Sequence, residues 1–317
     1  VQAFVDQLTG RTMTAAVGRG KFLWLPLDDG RALSAHLGMS GQLLVRGGAS
    51  GGASSASGSE SRAAAFLAAP DAQIGGRPVD LSATEQPRYV RDFSASPRHL
   101  RVRLHLSACP SADVGGADTE RSSHEETVLD LVDQRMLGGL HLAPLVPTAD
   151  GAPGGRGDDA PLLPAGATHI ARDLLDPHLD EAGVIGRMRS SRRAVKTLLL
   201  DQGIVSGIGN IYADEGLWAA RVHGLRRGEE LGPRVTARIL REVAGVMRRA
   251  LEVGGTSFDA LYVDVEGAAG FFARRLAVYG RAGLPCRRCG APLRSEAIGG
   301  RSHAFCPRCQ TRPRSRP

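Results

Sequence analysis

Lysine is almost missing from this chain. Of 40 basic residues only Lys21 and Lys196 are lysines. The positive charge is therefore carried by arginine, planar and permanently protonated, and the two surviving lysines are candidates for positions that call for an amine, with chance retention as the alternative. Acidic residues number 33, which leaves a net charge of +7 and a pI near 9.6. That balance favours a nucleic acid over an acidic metabolite as partner. No apolar run reaches the roughly 20 residues that a membrane-spanning helix needs, and no charged-then-apolar leader opens the chain. No Gly-Lys-Ser/Thr follows the glycine-rich run at 203–209, so that run is not a nucleotide P-loop. Cysteine is scarce too, with five residues in 317, and their placement fits metal binding in a reducing cytoplasm.

Four of the five form one pattern: Cys286-Arg-Arg-Cys289, sixteen residues, then Cys306-Pro-Arg-Cys309. Two Cys-x-x-Cys pairs at this separation point to a zinc site, each pair aiming two sulfurs at one spot. Four thiolates close the tetrahedron and leave no position for a substrate water, so the expectation is one structural Zn2+ whose binding folds the module. Two disulfides are the alternative. Gly290 and Gly299-Gly300 suit a knuckle and a hairpin turn. Cys109 stands alone and reads as a buried apolar residue. From Arg281 to Pro317 there are nine arginines, one acid (Glu296) and no lysine, so residues 1–280 are close to neutral. A charge this local predicts a docked polyanion.

The first part alternates like β-strands. Arg11 to Val17 is one candidate; Phe22–Leu27, Asp28-Asp29-Gly30 and Ala32–His36 read as a hairpin with an Asp-Gly turn. Gln42–Val45, Leu100–Leu106 and Thr127–Val132 are further strands. Residues 47–59 are all Gly, Ala or Ser, a flexible insertion expected to extend to about Ser96. A second polar insertion spans 110–125. The expected organisation is an antiparallel β domain over 1–146, a Pro/Gly/Ala-rich linker over 147–167, a helical domain over 168–258 and a C-terminal module over 259–317. Helices are predicted at Ala194–Leu200, at Ile211–Ala220 and from Pro233, whose stripe is Val235, Ile239, Val243, Val246, Met247 and Ala250, with Gly254-Gly255 as the stop.

Gly207-Ile-Gly209-Asn210 sits immediately before a helix. Free amides at such a helix start, with no side chains in the way, suit an anion, and Asn210 adds a side-chain donor. A phosphate is the natural guest.

With these elements together, the chain resembles bacterial formamidopyrimidine-DNA glycosylases. The residues that carry the resemblance are Gly20-Lys21-Phe22-Leu23, His36-Leu-Gly-Met-Ser-Gly41, Leu199-Leu-Asp-Gln202, Gly207–Glu215, Gly254-Gly-Thr256, Val278-Tyr-Gly-Arg281 and the cysteine run. The resemblance implies an α+β protein: a β-sandwich, a helix–two-turn–helix domain and a four-cysteine zinc finger. It implies removal of oxidised purines from double-stranded damaged DNA, followed by nicking of the abasic site, by a monomer with no membrane partner. It assigns Lys21 to the elimination step and Arg301 to the phosphates flanking the flipped nucleotide. Asn210 is implied as a phosphate ligand at the Gly207–Gly209 turn, and Arg192, Lys196 and His99 as further DNA contacts. Met39, Arg135 and Leu137 are implied to fill the gap left in the duplex, and 263–272 to close over the base. Such an enzyme must extrude its target and hold the gap open. The His36–Gly41 run and the 263–272 loop argue against the related endonuclease VIII branch.

Two departures stand out. The family's third wedge residue is aromatic, whereas Leu137 stands here in Asp133-Gln-Arg-Met-Leu-Gly138 and stacks on a base less well. The family's nucleophile and proton donor are an N-terminal Pro-Glu, whereas this chain opens at Val1, in a stretch resembling the interior of the first sheet. The expectation is a bifunctional glycosylase/lyase whose start lies upstream of Val1. The other reading is a non-catalytic damaged-DNA-binding protein.

Overall fold

The computed structural model describes residues 2–38, 41–46, 99–107, 127–133, 136–252 and 276–313. Met39, Arg135, Cys109, both insertions, the Gly254-Gly255 stop and the 263–272 loop lie outside these residues. The chain opens with a helix rather than inside a sheet: α1 runs over Gln2–Leu8. Gln2 Nε2 donates to Asp6 Oδ1 at 2.8 Å, one turn on. Gly10, at φ +75°, follows the helix and turns the chain away from it. The Arg11–Val17 candidate shrinks to an isolated bridge at Met13 and a short β1, Val17–Arg19.

The hairpin forms as the sequence predicts. Strand β2 (Phe22–Pro26) pairs antiparallel with β3 (Arg31–His36), and Gly30 takes φ +80° in the turn. Strand β4 (Gln42–Arg46), β5 (Leu100–Leu106) and β6 (Thr127–Val132) build a second antiparallel sheet in the order β4-β6-β5. Within it Asp130 is buried but takes Arg103 Nε and Nη2 at 2.7 and 2.8 Å, which offsets the cost of burying a carboxylate. Strand β7 (Gly139–Pro147) returns to the first sheet and pairs with β3, and β8 (Leu162–Pro164) pairs with β7, giving the order β1-β2-β3-β7-β8.

The expected linker at 147–167 is therefore part of this sheet. Gly18 and Arg156 exchange backbone hydrogen bonds, both at 2.9 Å. A Cβ at Gly154 would lie 1.8 Å from the Leu162 carbonyl oxygen, and one at Gly155 would lie 3.0 Å from the Trp24 ring. These glycines let the backbone lie flat against Trp24, which is 1% exposed. The composition that reads as a linker serves close packing instead.

In the helical domain α2 (Glu181–Arg189) is capped by Asp180, whose side chain accepts from the Gly183 amide at 2.9 Å. Then come α3 (Val195–Leu199), α4 (Asn210–Ala219) and α5 (Pro233–Leu251). Their shared core holds Met188, Leu198, Leu199, Ile208, Leu217, Ile239, Leu240 and Val243, each worth about 1.5–3 kcal/mol when fully buried. Helices α4 and α5 approach closely because Gly216 faces Val243, where an added Cβ would lie 2.3 Å from Cγ2. The C-terminal module is a hairpin, β9 (Arg294–Ile298) and β10 (Arg301–Phe305), turning through Gly299 and Gly300 at φ +57° and +74°. Among the described residues no helix is long and apolar enough to cross a membrane.

Candidate nucleic-acid interface and zinc centre

Three segments far apart in sequence meet at the start of α4. Lys21 sits in the β1–β2 turn. This turn presses so closely on the helical domain that a Cβ at Gly20 (φ +59°) would lie 2.3 Å from Ser206 Oγ. Lys21 Nζ donates to the Ile208 carbonyl at 3.0 Å. A Cβ at Gly209 would crowd that ammonium at 3.3 Å, so the glycine leaves room for it. Burial, then the positive charge of Arg301, lower the Lys21 pKa. Asn210, the first residue of α4, donates through Nδ2 to Ser302 Oγ at 3.0 Å, which brings the Arg301–Ser302 end of β10 to the same place.

The anion cradle differs in detail from the expectation. The Gly207 amide is already engaged, donating to Gln202 Oε1 at 3.0 Å, while Gln202 Nε2 donates to the Leu200 and Ile208 carbonyls. Gln202 thus fixes the turn, and Gly207 serves it through its φ of +83°. The start of α4 carries no side-chain cap and no acid in its first turn, which suits an anion there.

Lys196 does not belong to the DNA surface. It is fully buried, its Nζ 2.6 Å from Asp214 Oδ1 and also donating to the Ser302 carbonyl. Burial lowers its pKa, and the Asp214 charge opposes that shift. The spacing in sequence places Lys196 on α3, and the register of that short helix turns the side chain inward. Asp214 also bonds His303 Nδ1 at 2.7 Å and the Ala304 amide at 2.9 Å. The neighbouring Glu215 accepts from the amides of Ala277, Val278 and Tyr279 at 2.8–2.9 Å. Burial nonetheless raises its pKa. Two adjacent acids on α4 therefore clamp the C-terminal module, and through it Arg301, onto the helical domain. Their role as a clamp is not visible in the sequence, because their partners lie some 60 to 90 positions away.

The four cysteines come together as predicted. The sulfurs of Cys286, Cys289, Cys306 and Cys309 all lie within 4.8 Å of one another, and none is in a disulfide. Four Zn–S bonds of about 2.3 Å place tetrahedral sulfurs about 3.8 Å apart, so the set fits one zinc ion. The thiols cannot all ionise without a cation. Burial works against ionisation at Cys286, but the Arg288 amide, the Trp218 side chain, the Cys289 amide and the Cys306 thiol together outweigh it and hold that thiol at about 6. Burial pushes Cys306 up to about 12 and raises Cys309. The amides of Arg288 and Cys309 donate to Cys286 Sγ and Cys306 Sγ at 3.4 Å. Arg288 stacks over Trp218 of α4, 4.1 Å from the ring centre.

Of the remaining candidates, Arg192 is exposed, 3.6 Å from Glu229. His99 lies at the start of β5, where its carbonyl accepts the Asp133 amide at 2.9 Å. Asp133 in turn accepts the Gly138 amide at 2.7 Å, closing the loop that carries Leu137. Leu137 is 54% exposed and Met136, at φ +54°, is 70% exposed. Nothing in the sequence pattern singles out Met136. A non-glycine residue in the left-handed region is uncommon, and this one sits beside the exposed Leu137. Gly38, at φ +58°, seats the 36–38 turn against Leu137, where an added Cβ would lie 2.8 Å from the Leu137 backbone.

Three family models match the chain: the N-terminal domain of formamidopyrimidine-DNA glycosylase over residues 1–140, its H2TH domain over 170–261, and the zinc finger found in FPG and IleRS over 283–312. Among similar proteins, the formamidopyrimidine-DNA glycosylase of Leifsonia xyli is 42% identical over 97% of this chain and 85% of its own length. That of Nocardioides is 43% identical over 99% and 82%. Among solved structures, the MutM (Fpg) protein of Thermus thermophilus is 26% identical with a TM-score of 0.63, covering 96% of this chain and 85% of that one. The Fpg of Lactococcus lactis, in complex with abasic-site DNA, shares the fold at 21% identity with a TM-score of 0.63 over 98% and 86%.

Proposed function

The chain belongs to the formamidopyrimidine-DNA glycosylase family, and from that premise we propose that it acts on duplex DNA. It removes 8-oxoguanine and formamidopyrimidines and cleaves the resulting abasic site by β,δ-elimination. The observation that carries this reading is the meeting of Lys21, Asn210 and the Arg301–Ser302 corner, three segments with cationic or N–H donor groups at one helix start. A kinked backbone with its phosphates in that corner receives charge-assisted bonds from Arg301 and Lys21 and a neutral one from Asn210. These contacts fix position and carry no base sequence information.

Lys21 has a second task. An amine whose pKa is lowered by burial exchanges its proton more readily near neutrality than an exposed lysine. That suits the elimination steps: with C1′ held as an iminium by an attacking amine of the protein, a C2′ proton is lost as the 3′ phosphate departs, and a C4′ proton is then lost as the 5′ phosphate departs. Arg192 adds a backbone contact. Leu137 and Met136, with Met39 and Arg135, hold the gap, and His99 steadies the same loop. Bound zinc supplies no chemistry here; it orders the hairpin that presents Arg301. The protein acts as a monomer in the bacterial cytoplasm, on nucleoid DNA.

The test is incubation with a duplex holding one 8-oxoguanine opposite cytosine. The expected result is release of free 8-oxoguanine and a one-nucleotide gap bounded by phosphates. Absence of base release at saturating protein, with an undamaged control equally bound, would overturn the reading.

A further inference from the structure

Helix α5 carries a second basic surface that the lesion site does not use. Its buried residues, among them Thr236, Ile239, Val243, Val246, Met247 and Ala250, line one face that packs toward α4. Arg234, Arg238, Arg241, Arg248 and Arg249 are all exposed. At 100° per residue these five fall within an arc of about 100°, centred opposite the buried face, and they span about 22 Å of helix. The lesion-site groups gather at the start of α4, on the packed side of α5, where Met247 Cε approaches Gly207. The arginine face therefore points away from that site.

Two features separate this face from an ordinary solvated one. A solvated helix face mixes signs, since Glu–Arg pairs three or four residues apart stabilise it and like charges at that spacing cost about 0.2–0.5 kcal/mol. Here Arg234 faces Arg238 and Arg238 faces Arg241, while Arg241 also lies 4.0 Å from Glu242. The second feature is Gly245. It falls in the middle of the arginine arc, in the interior of a 19-residue helix, where glycine costs about 0.5–1 kcal/mol relative to alanine. A Cβ there would meet Arg249 Nη1 at 3.4 Å. The glycine leaves a notch flanked by Arg241, Arg248 and Arg249 in which a ligand can approach the helix backbone closely.

We propose that this face is a second DNA-backbone site: it takes phosphates of a duplex segment other than the one holding the lesion. Charge complementarity commits the site to a polyanion, and a straight row of about 22 Å matches several successive phosphates along one strand. Its function is transfer. A molecule holding one segment in the lesion cleft grips a second through α5 and passes between them without a free intermediate.

The experiment compares the protein with a variant carrying Arg234→Gln, Arg238→Gln, Arg241→Gln and Arg248→Gln, substitutions that keep helix propensity. Three quantities are read: 8-oxoguanine excision on a duplex of about 15 base pairs, the salt dependence of binding to a long undamaged duplex, and the dissociation rate from labelled duplex as unlabelled duplex is added. The expected variant excises normally on the short duplex, and its log K against log salt slope is shallower by about 3.6, at about 0.9 for each of four phosphates no longer neutralised. Dissociation of the unaltered protein accelerates with competitor, while that of the variant does not. An unchanged slope and an unchanged competitor effect overturn the proposal. A loss of excision on the short duplex, with circular dichroism showing an intact fold, also overturns it by placing these arginines in the lesion site. Inorganic phosphate at the same ionic strength serves as control: if it displaces the long duplex no better than chloride, the grip is on an extended backbone, and if it displaces it fully at millimolar concentration, the face is a free-phosphate site and the proposal fails.

Discussion

Replacing Asp214 by asparagine tests the clamp that holds Arg301 in place. Asp214 is fully buried and takes Lys196 Nζ at 2.6 Å, His303 Nδ1 at 2.7 Å and the Ala304 amide at 2.9 Å. The asparagine keeps the shape and removes the charge, leaving the Lys196 ammonium buried without its counter-ion. Breaking a buried pair by removing one partner costs about 3–5 kcal/mol. The loss sits at the lower end of that range if Lys196 sheds its proton, a course its lowered pKa favours. The assay is urea unfolding followed by Trp218, which lies against the finger through Arg288, in a Trp24→Phe background. Lys196→Met and the double variant complete a cycle. Because both charges leave together, the double variant is expected to be more stable than the sum of the single losses by about 1–3 kcal/mol. Losses that add to within about 0.5 kcal/mol would refute the clamp as a coupled unit. The folded Asp214→Asn protein should also bind lesion duplex more weakly, since Arg301 and Ser302 lose their support.

The other predictions follow the same geometry. Arg301→Ala should weaken lesion-duplex binding by about 1–3 kcal/mol, the value of one charge-assisted phosphate bond, and unchanged affinity at moderate salt in a fluorescence-anisotropy titration would remove that role. Freshly reduced protein should hold one zinc per chain by metal analysis, and chelation should melt the β9–β10 hairpin in amide exchange while leaving α5 protected. His223, buried against His303 and Phe305, has its pKa lowered from 6.5 to about 4, chiefly by burial. The unfolded chain therefore binds a proton that the folded one refuses between these values. Stability should fall by about 3 kcal/mol as pH drops through that window with zinc in excess, and His223→Phe should flatten that limb in urea titrations. Leu137→Phe should slow dissociation from an abasic-analogue duplex, the aromatic ring adding about 0.5–1.5 kcal/mol of stacking, as read by stopped-flow with a fluorescent base opposite the gap.

Much of this was legible in the sequence wherever a short-range rule applied. The Asp-Gly turn placed the β2–β3 hairpin, alternation gave β5 and β6 residue for residue, and the cysteine spacing gave the metal centre. The α5 stripe came from its 3.6-residue period, and all of its expected residues but the half-buried Val235 are buried. What escaped depends on distant partners. Gly154 and Gly155 read as linker because nothing local shows that Trp24 lies over them. Lys196 reads as a DNA contact only through the resemblance, because its Asp214 partner and the Ser302 carbonyl come from two other elements. The Gly207 amide read as open because Gln202 reaches it only through the turn's own curvature.

The central claim, that Lys21, Asn210 and Arg301 form the lesion site of an oxidised-purine glycosylase/lyase, is tested most directly by borohydride trapping on an 8-oxoguanine duplex. For the whole protein, including the amine that attacks C1′, the expected result is a covalent protein–DNA adduct on lesion duplex and none on undamaged duplex. The account also predicts that Lys21→Arg keeps tight lesion binding but loses strand cleavage. No adduct on lesion duplex, or a Lys21→Arg protein that still nicks the strand at the native rate, would contradict it.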